Sequence, residues 1–253
     1  AFGLLNFQAV EPYGLLFANA SQNGVPSVVV ALCVFYYLVY GVADHRQSII
    51  VAVICLWIAI IGNGRASIIV AIVLLFFVVI NWLLKHKAKA SFIFLLSILV
   101  FSFFENSILS VIYEYLFIGT KMSVGFENQH RSYMLMNYIS SIDFIHFFIG
   151  GDFDDNVIGK QYGGNPHNSF IRVHGLFGIV PFLIVVFSIF SYLFISFSKK
   201  AFYLTFLGLL IFARAFSEEI FFPTSLDFLY FLPIFMFLRW RQGYYDRDRT
   251  KDL

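Results

Sequence analysis

The chain has 253 residues, of which 60% are hydrophobic and only 13% charged, with 34 phenylalanines and a formal net charge of +2. A soluble domain carries about a quarter charged residues, so this composition, with a mean hydropathy of +0.81, excludes an ordinary soluble globule and predicts an all-α polytopic integral membrane protein. The small net charge and the lack of a basic stripe exclude a nucleic-acid binder.

The chain opens on Ala1 without a basic n-region and cleavage site, which argues against a signal peptide and predicts that further membrane helices precede it. Residues 2–18 are apolar but broken by Gln8, Glu11, Pro12 and Gly14. They read as a re-entrant or interfacial piece, or as the remnant of a span. Runs approaching the ~20 apolar residues that a span needs then predict seven crossings, at about 25–43, 48–63, 66–84, 90–104, 175–198, 201–216 and 220–238. Cys33 and Cys55 fall inside apolar runs as small buried side chains, with no disulfide framework and no metal site.

Orientation follows from lysine and arginine, which favour the cytoplasmic side in short connections. Arg46 lies in one connection, Lys85, Lys87 and Lys89 in a second, and Lys199 and Lys200 in a third. Arg239, Arg241, Arg247, Arg249 and Lys251 form a tail. Seven alternating spans put all four segments on one side, and they hold most of the 17 basic residues. That side is predicted to be cytoplasmic. The opposite face receives Arg65, a long loop at 105–174 and the Arg214–Glu219 connection. Loops longer than about 15 residues are usually functional or disordered. This one has aromatic and apolar periodicity at Tyr133, Met136, Tyr138, Ile142, Phe144 and Phe147, which predicts a helix at about 129–149 ended by Gly150-Gly151. The predicted organisation is 1–104 for N-terminal membrane helices, 105–174 for the outer loop, 175–238 for C-terminal membrane helices and 239–253 for a basic cytoplasmic tail. No internal repeat or low-complexity stretch is evident.

In so apolar a chain the ionisable residues stand out. Arg65 follows Gly62-Asn63-Gly64 where one span ends and the next begins. It is either a snorkelling headgroup anchor or an anion site, because the glycines let a phosphate approach the backbone. Arg131 opens the predicted loop helix, with a solvated loop charge as the plain alternative. Arg214 ends a span just before Glu218 and Glu219, so an ion pair with either competes with ligand binding. Arg172 and His174 read as interfacial anchors.

Pro166-His167-Asn168-Ser169 precedes Gly175-Leu176-Phe177-Gly178, where a long apolar helix is predicted to begin. A histidine at the mouth of a membrane helix is costly unless it lies in water or a polar pocket. Its intrinsic pKa of ~6.5 also suits it to accept a proton from a hydroxyl. His167 is therefore the candidate general base, against the plain reading of a loop histidine bonded to backbone. Asn168 is the candidate contact to a substrate hydroxyl or to the ring. Asp152, Asp154 and Asp155 form a short acidic run, more simply a solvated loop than a metal site, since a divalent cation needs more oxygen ligands than this run supplies. No nucleophile elbow, zinc-helix, Walker or dinucleotide fingerprint is present.

Three elements together resemble the bacterial O-antigen polymerase and O-antigen ligase family. One is the entry to a span at Gly62–Ile68. The second is the large outer loop with Arg131 ahead of an aromatic helix. The third is Gly150-Gly151, then His167-Asn168-Ser169-Phe170, then Gly175-Leu176-Phe177-Gly178 before an apolar helix. Phe2-Gly3-Leu4-Leu5 is faintly similar to a further family segment. The resemblance covers roughly 60–240. It departs at Asn63-Gly64, where the family has serine before the arginine, and at Phe170 in place of leucine.

The resemblance implies a GT-C-like helical bundle in the bacterial inner membrane with its active site facing the periplasm. It implies transfer of a glycan from an undecaprenyl-diphosphate carrier to a sugar hydroxyl, without a metal or cofactor. A chain-length regulator protein is an implied partner. On that reading Arg65, Arg131 and Arg214 bind the diphosphate. Arginine suits the role because it is always ionised and donates two parallel hydrogen bonds to phosphate oxygens. His167 takes the proton of the attacking hydroxyl, and a single displacement inverts the anomeric carbon. Polymerase is the preferred form and ligase the alternative. A transporter or flippase, a metal-dependent transferase using the acidic run and a purely structural membrane protein are the competing classes.

Overall fold

The computed structural model describes residues 24–42, 47–86, 110, 129–151, 153, 156–218, 220, 227 and 230–231. Its described elements are helices and connections: α1 (Gly24–Val42), α2 (Ile49–Ile61), α3 (Arg65–Lys85), α4 (Gln129–Ser141), α5 (Phe144–Ile149), α6 (Val157–Tyr162), α7 (Ser169–Phe177), α8 (Ile179–Ser198) and α9 (Phe202–Ser217). Three of them, α1, α3 and α8, are long and apolar enough to cross a membrane. At 1.5 Å per residue, the 13 residues of α2 and the 16 of α9 reach only about 20 and 24 Å, short of the ~30 Å hydrocarbon core. Of the seven predicted crossings, 90–104 and most of 220–238 lie outside the described residues. Asp227, expected within the last span, sits at a turn.

The chain forms two compact units, divided within α1 at Cys33 and Val34. In the first unit α2 and α3 form a helical hairpin. Ala52, Cys55 and Ala59 on α2, and Ile68, Ala71, Leu74 and Val78 on α3, are buried. Small side chains on one face let membrane helices approach closely. Ile50, Val53, Ile54 and Trp57 on α2, with Phe76, Ile80 and Leu84 on α3, remain exposed, as a lipid-facing surface requires. The turn closes through Asn63 in the left-handed region (φ 53°), which asparagine tolerates better than most residues. Cys33 and Cys55 are both free.

In the second unit α8 and α9 form another hairpin, turned at Lys199-Lys200. Ala201 N–H donates to Ser196 O at 2.9 Å, Thr205 Oγ1 donates to Ser196 Oγ at 2.8 Å, and Tyr192 OH donates to Leu204 O at 2.6 Å. These bonds satisfy polar groups that would be costly in an apolar medium. Tyr203 OH donates to Tyr37 O at 2.7 Å and ties the α1 segment of this unit to α9.

The helix expected over 129–149 is two helices. Asp143 breaks it: its Oδ1 accepts from His146 N at 2.7 Å and starts α5 as a separate helix. Gly150 ends α5 with φ 75°. The loop has its own small core of Met134, Tyr138, Phe153 and Ile158, with Ile142, Tyr162 and Ile171 packed against it.

The long apolar helix starts at Ile179 rather than Gly175. Gly175 lies inside α7, and the chain turns at Gly178 (φ 78°, ψ −171°). The four glycines of the motif have a packing reason. Gly151 N–H donates to Gly175 O at 2.5 Å, a Cβ on Gly175 would meet the Phe153 ring, and a Cβ on Gly178 would meet the Phe148 carbonyl. The ends of α5 and α7 cross backbone to backbone there, at the root of α8.

Candidate functional site

In the second unit three basic side chains converge on one carboxylate. Glu218 caps the C-terminal end of α9 in extended conformation, and Ser169, the first residue of α7, fixes it. Ser169 Oγ donates to Glu218 O at 2.9 Å and accepts from Ile220 N at 3.0 Å. The end of α9 is thereby stitched to the start of α7. His167 lies just before that start with φ 49°, a left-handed backbone that few residues other than glycine adopt and in which Asn, Asp and His are enriched. Its N–H donates to Asn165 Oδ1 at 2.7 Å, which holds the turn.

The two carboxylate oxygens have separate duties. Oε1 lies 2.9 Å from His167 Nδ1. Oε2 lies 3.8 Å from Arg131 Nη2 and 3.7 Å from Arg214 Nη2. Arg214 is only 2% exposed, and its Nη1 donates to Ser217 Oγ at 2.6 Å. The Arg131 side chain is 35% exposed. Burial of Glu218 raises its pKa. The His167 hydrogen bond and the charges of Arg214, His167 and Arg131 outweigh burial, so the carboxyl titrates below its ordinary range. A carboxylate on Nδ1 leaves Nε2 as the position from which the ring can accept a proton, and it stabilises the imidazolium that results.

Of the residues singled out in the sequence, Arg131, His167 and Arg214 therefore meet at one point. Asn168 is the N-cap of α7, its Oδ1 accepting from Phe170 N at 2.8 Å and Ile171 N at 3.2 Å. Arg65 belongs to the other unit, at the first position of α3 after Gly64. Asp152, Asp154 and Asp155 lie outside the described residues, among which no group of three metal-type side chains occurs. Glu218 carries the site, and sequence reasoning named it only as one of two pairing partners for Arg214. Its place one helical turn after that arginine was the available signal. Its contact with His167, 51 positions away, leaves no trace in spacing.

His174 is not an interfacial anchor. It is buried, and its Nδ1 lies 2.6 Å from Tyr138 OH. Burial lowers the His174 pKa, with a backbone hydrogen bond to Phe147 opposing, and burial raises that of Tyr138. Both groups are therefore neutral at pH 7, and the pair pins α4 to α7. Arg172 is half-buried; burial lowers its pKa and the charge of Asp227 opposes.

Next to the charged cluster lies an apolar groove of about 930 Å³, lined by Tyr138, Phe144, Phe147, Asn168, His174 and Phe182 among others. Asn168 borders it directly, one residue from His167. No protein-family model matches the chain, and no curated protein or solved structure matches it.

Proposed function

We propose that the second unit is the transfer site of a membrane glycosyltransferase acting on a lipid-diphosphate-linked glycan, in the manner of an O-antigen polymerase. One observation carries the reading: a single buried carboxylate holds His167 and two arginines together. His167 donates Nδ1–H to Glu218, which leaves the Nε2 lone pair to take the proton of the acceptor hydroxyl. The hydroxyl oxygen bonds to the anomeric carbon as the bond from that carbon to the diphosphate oxygen breaks. The departing diphosphate keeps the electron pair, and Arg131, the accessible arginine, meets its charge. Stabilising charge that develops in the transition state is usually the largest catalytic contribution. Arg214, buried against Ser217 and Glu218, positions the carboxylate. The groove suits the carrier's isoprenoid chain, since it is apolar and opens beside the charges.

On this reading the protein works in the bacterial inner membrane, facing the periplasm, with a chain-length regulator as a partner. An assay of purified protein with carrier-linked glycan tests it. The wild type extends the glycan, while His167→Ala loses at least ~100-fold, the usual minimum worth of a positioned base. A His167→Ala protein working at the parental rate would sink the reading. Polymerase is preferred to ligase, and deletion of the gene separates them. Surviving lipid that carries one repeat marks a polymerase, whereas loss of all glycan-capped lipid marks a ligase.

A further inference from the structure

We infer that α5 is a membrane-dipping element, seated in the lipid leaflet at which α8 begins, and that it does not face water or another protein. The inference does not require the glycan-transfer reading, although Phe144, Phe147 and Phe148 also line the apolar groove assigned there to the carrier's chain. The six residues Phe144–Ile149 contain five large apolar side chains, and all five are exposed. Phe144 is 79% exposed and Ile149 68%, with Ile145, Phe147 and Phe148 also open. A contiguous apolar patch of this kind marks an interaction surface.

Two observations point to lipid as the occupant. The first is continuity. The end of α5 crosses the start of α8 at Gly178, where the Phe148 carbonyl lies against the glycine. α8 is long and apolar enough to cross a membrane, and its first turns expose Val180, Leu183 and Ile184, with Phe177 just before them. Exposed apolar side chains of the span's first turns thus lie next to those of α5, at the level where the span enters.

The second is polar accounting. Backbone groups can enter the hydrocarbon boundary only when they are already hydrogen-bonded. Here His146 N donates to Asp143 Oδ1 at 2.7 Å, Phe147 N to Asp143 O at 2.9 Å and Gly150 N to His146 O at 3.0 Å. The two polar side chains of the segment pair through one contact, His146 Nδ1 2.9 Å from Asp143 Oδ1, and both stay more than half exposed, as suits the headgroup side of the boundary. An aromatic, internally bonded turn of this kind rests at the headgroup–acyl boundary, where in-plane elements bury their apolar faces about 5–10 Å deep.

Nitroxide labels test this in proteoliposomes of phosphatidylethanolamine and phosphatidylglycerol. They are placed on Phe144→Cys and Ile149→Cys, and on Ser140→Cys as a control on α4. The background carries Cys33→Ser and Cys55→Ser. These α5 and α4 side chains are exposed, so labelling leaves the core intact. Collision with molecular oxygen, which concentrates in lipid, should exceed collision with a water-soluble nickel chelate at 144 and 149 by severalfold, with the order reversed at 140. Dominance of the nickel chelate at 144 and 149 would put α5 in water. Suppression of both probes would mean that a second copy or another protein covers it. Either result overturns the inference.

Discussion

Glu218 balances two guanidinium groups and an imidazole with one negative charge, so its loss acts on all of them at once. In Glu218→Gln the amide oxygen still accepts from His167 Nδ1, but the carboxylate charge that faces the buried Arg214 is removed. Removing one member of a buried pair typically costs ~3–5 kcal/mol. We expect the thermal midpoint in detergent to fall by on the order of 10 °C, and glycan extension to fall by ~10²–10⁴-fold. A near-parental rate in this variant would detach Glu218 from the chemistry. The pH dependence has a definite sign. The folded carboxyl titrates below its ordinary value of 4.5, so its stabilising contribution is complete above that value and drains away as the pH falls below it. Midpoints measured from pH 7 downward should begin to lose this contribution only near pH 4.5. The ionisable members of this cluster were legible in the sequence because charge is scarce in an apolar chain and each such residue demands a reason. Their convergence on Glu218 was not, because it depends on α7 and α9 being stitched through Ser169.

Among the elements, α4, α5, α7 and α8 are joined by a buried polar pair and a glycine crossing. Tyr138→Phe keeps the ring in the loop core but leaves His174 Nδ1 without its partner. Stranding a buried hydrogen-bonding group costs about 1–3 kcal/mol. Hydrogen exchange across 129–141 should accelerate while α8 stays protected; unchanged exchange would mean that packing alone docks α4. The His174 pKa is lowered on folding, so protonation favours the unfolded state. The wild-type docking should be at full strength above pH ~6.5 and weaken as pH falls below it towards the depressed folded value. Gly178→Ala tests the crossing. Its backbone (φ 78°, ψ −171°) is nearly exclusive to glycine, at ~1–3 kcal/mol for another residue, and the new Cβ would press on the Phe148 carbonyl. Limited proteolysis should cut within 144–151 in the variant and spare the wild type. Helix positions were readable from apolar runs, and so was the stop at Gly150. The breaks at Asp143 and Gly178 were missed because periodicity continues through both. A side-chain cap makes the first break and a backbone crossing the second.

Among the described residues, apolar runs announced helices, and length marks three of them as long enough to cross a membrane. Residues 48–63 and 201–216 read as spans from composition, yet α2 and α9 stop short of the hydrocarbon thickness. Gly62 and Lys199–Lys200 provide turns that let a shorter helix pair with a longer neighbour, and hydropathy does not register this. The α8–α9 hairpin nevertheless makes a strict topological prediction. α8 has 20 residues, about 30 Å, with His167 and Glu218 gathered at its entry and Lys199-Lys200 at its far end. If α8 crosses the membrane, the two ends face different compartments, and the basic turn belongs in the cytoplasm. Single cysteines at 167 and 200, in a background with Cys33 and Cys55 replaced by serine, should show this in intact cells. A membrane-impermeant maleimide should label position 167 and spare position 200 until the inner membrane is opened. Position 65, read from the charge distribution as outer, should label with 167. Labelling of 167 and 200 from the same side would mean that α8 does not cross. The charged cluster would then lose the lipid boundary that the proposed carrier-linked substrate requires.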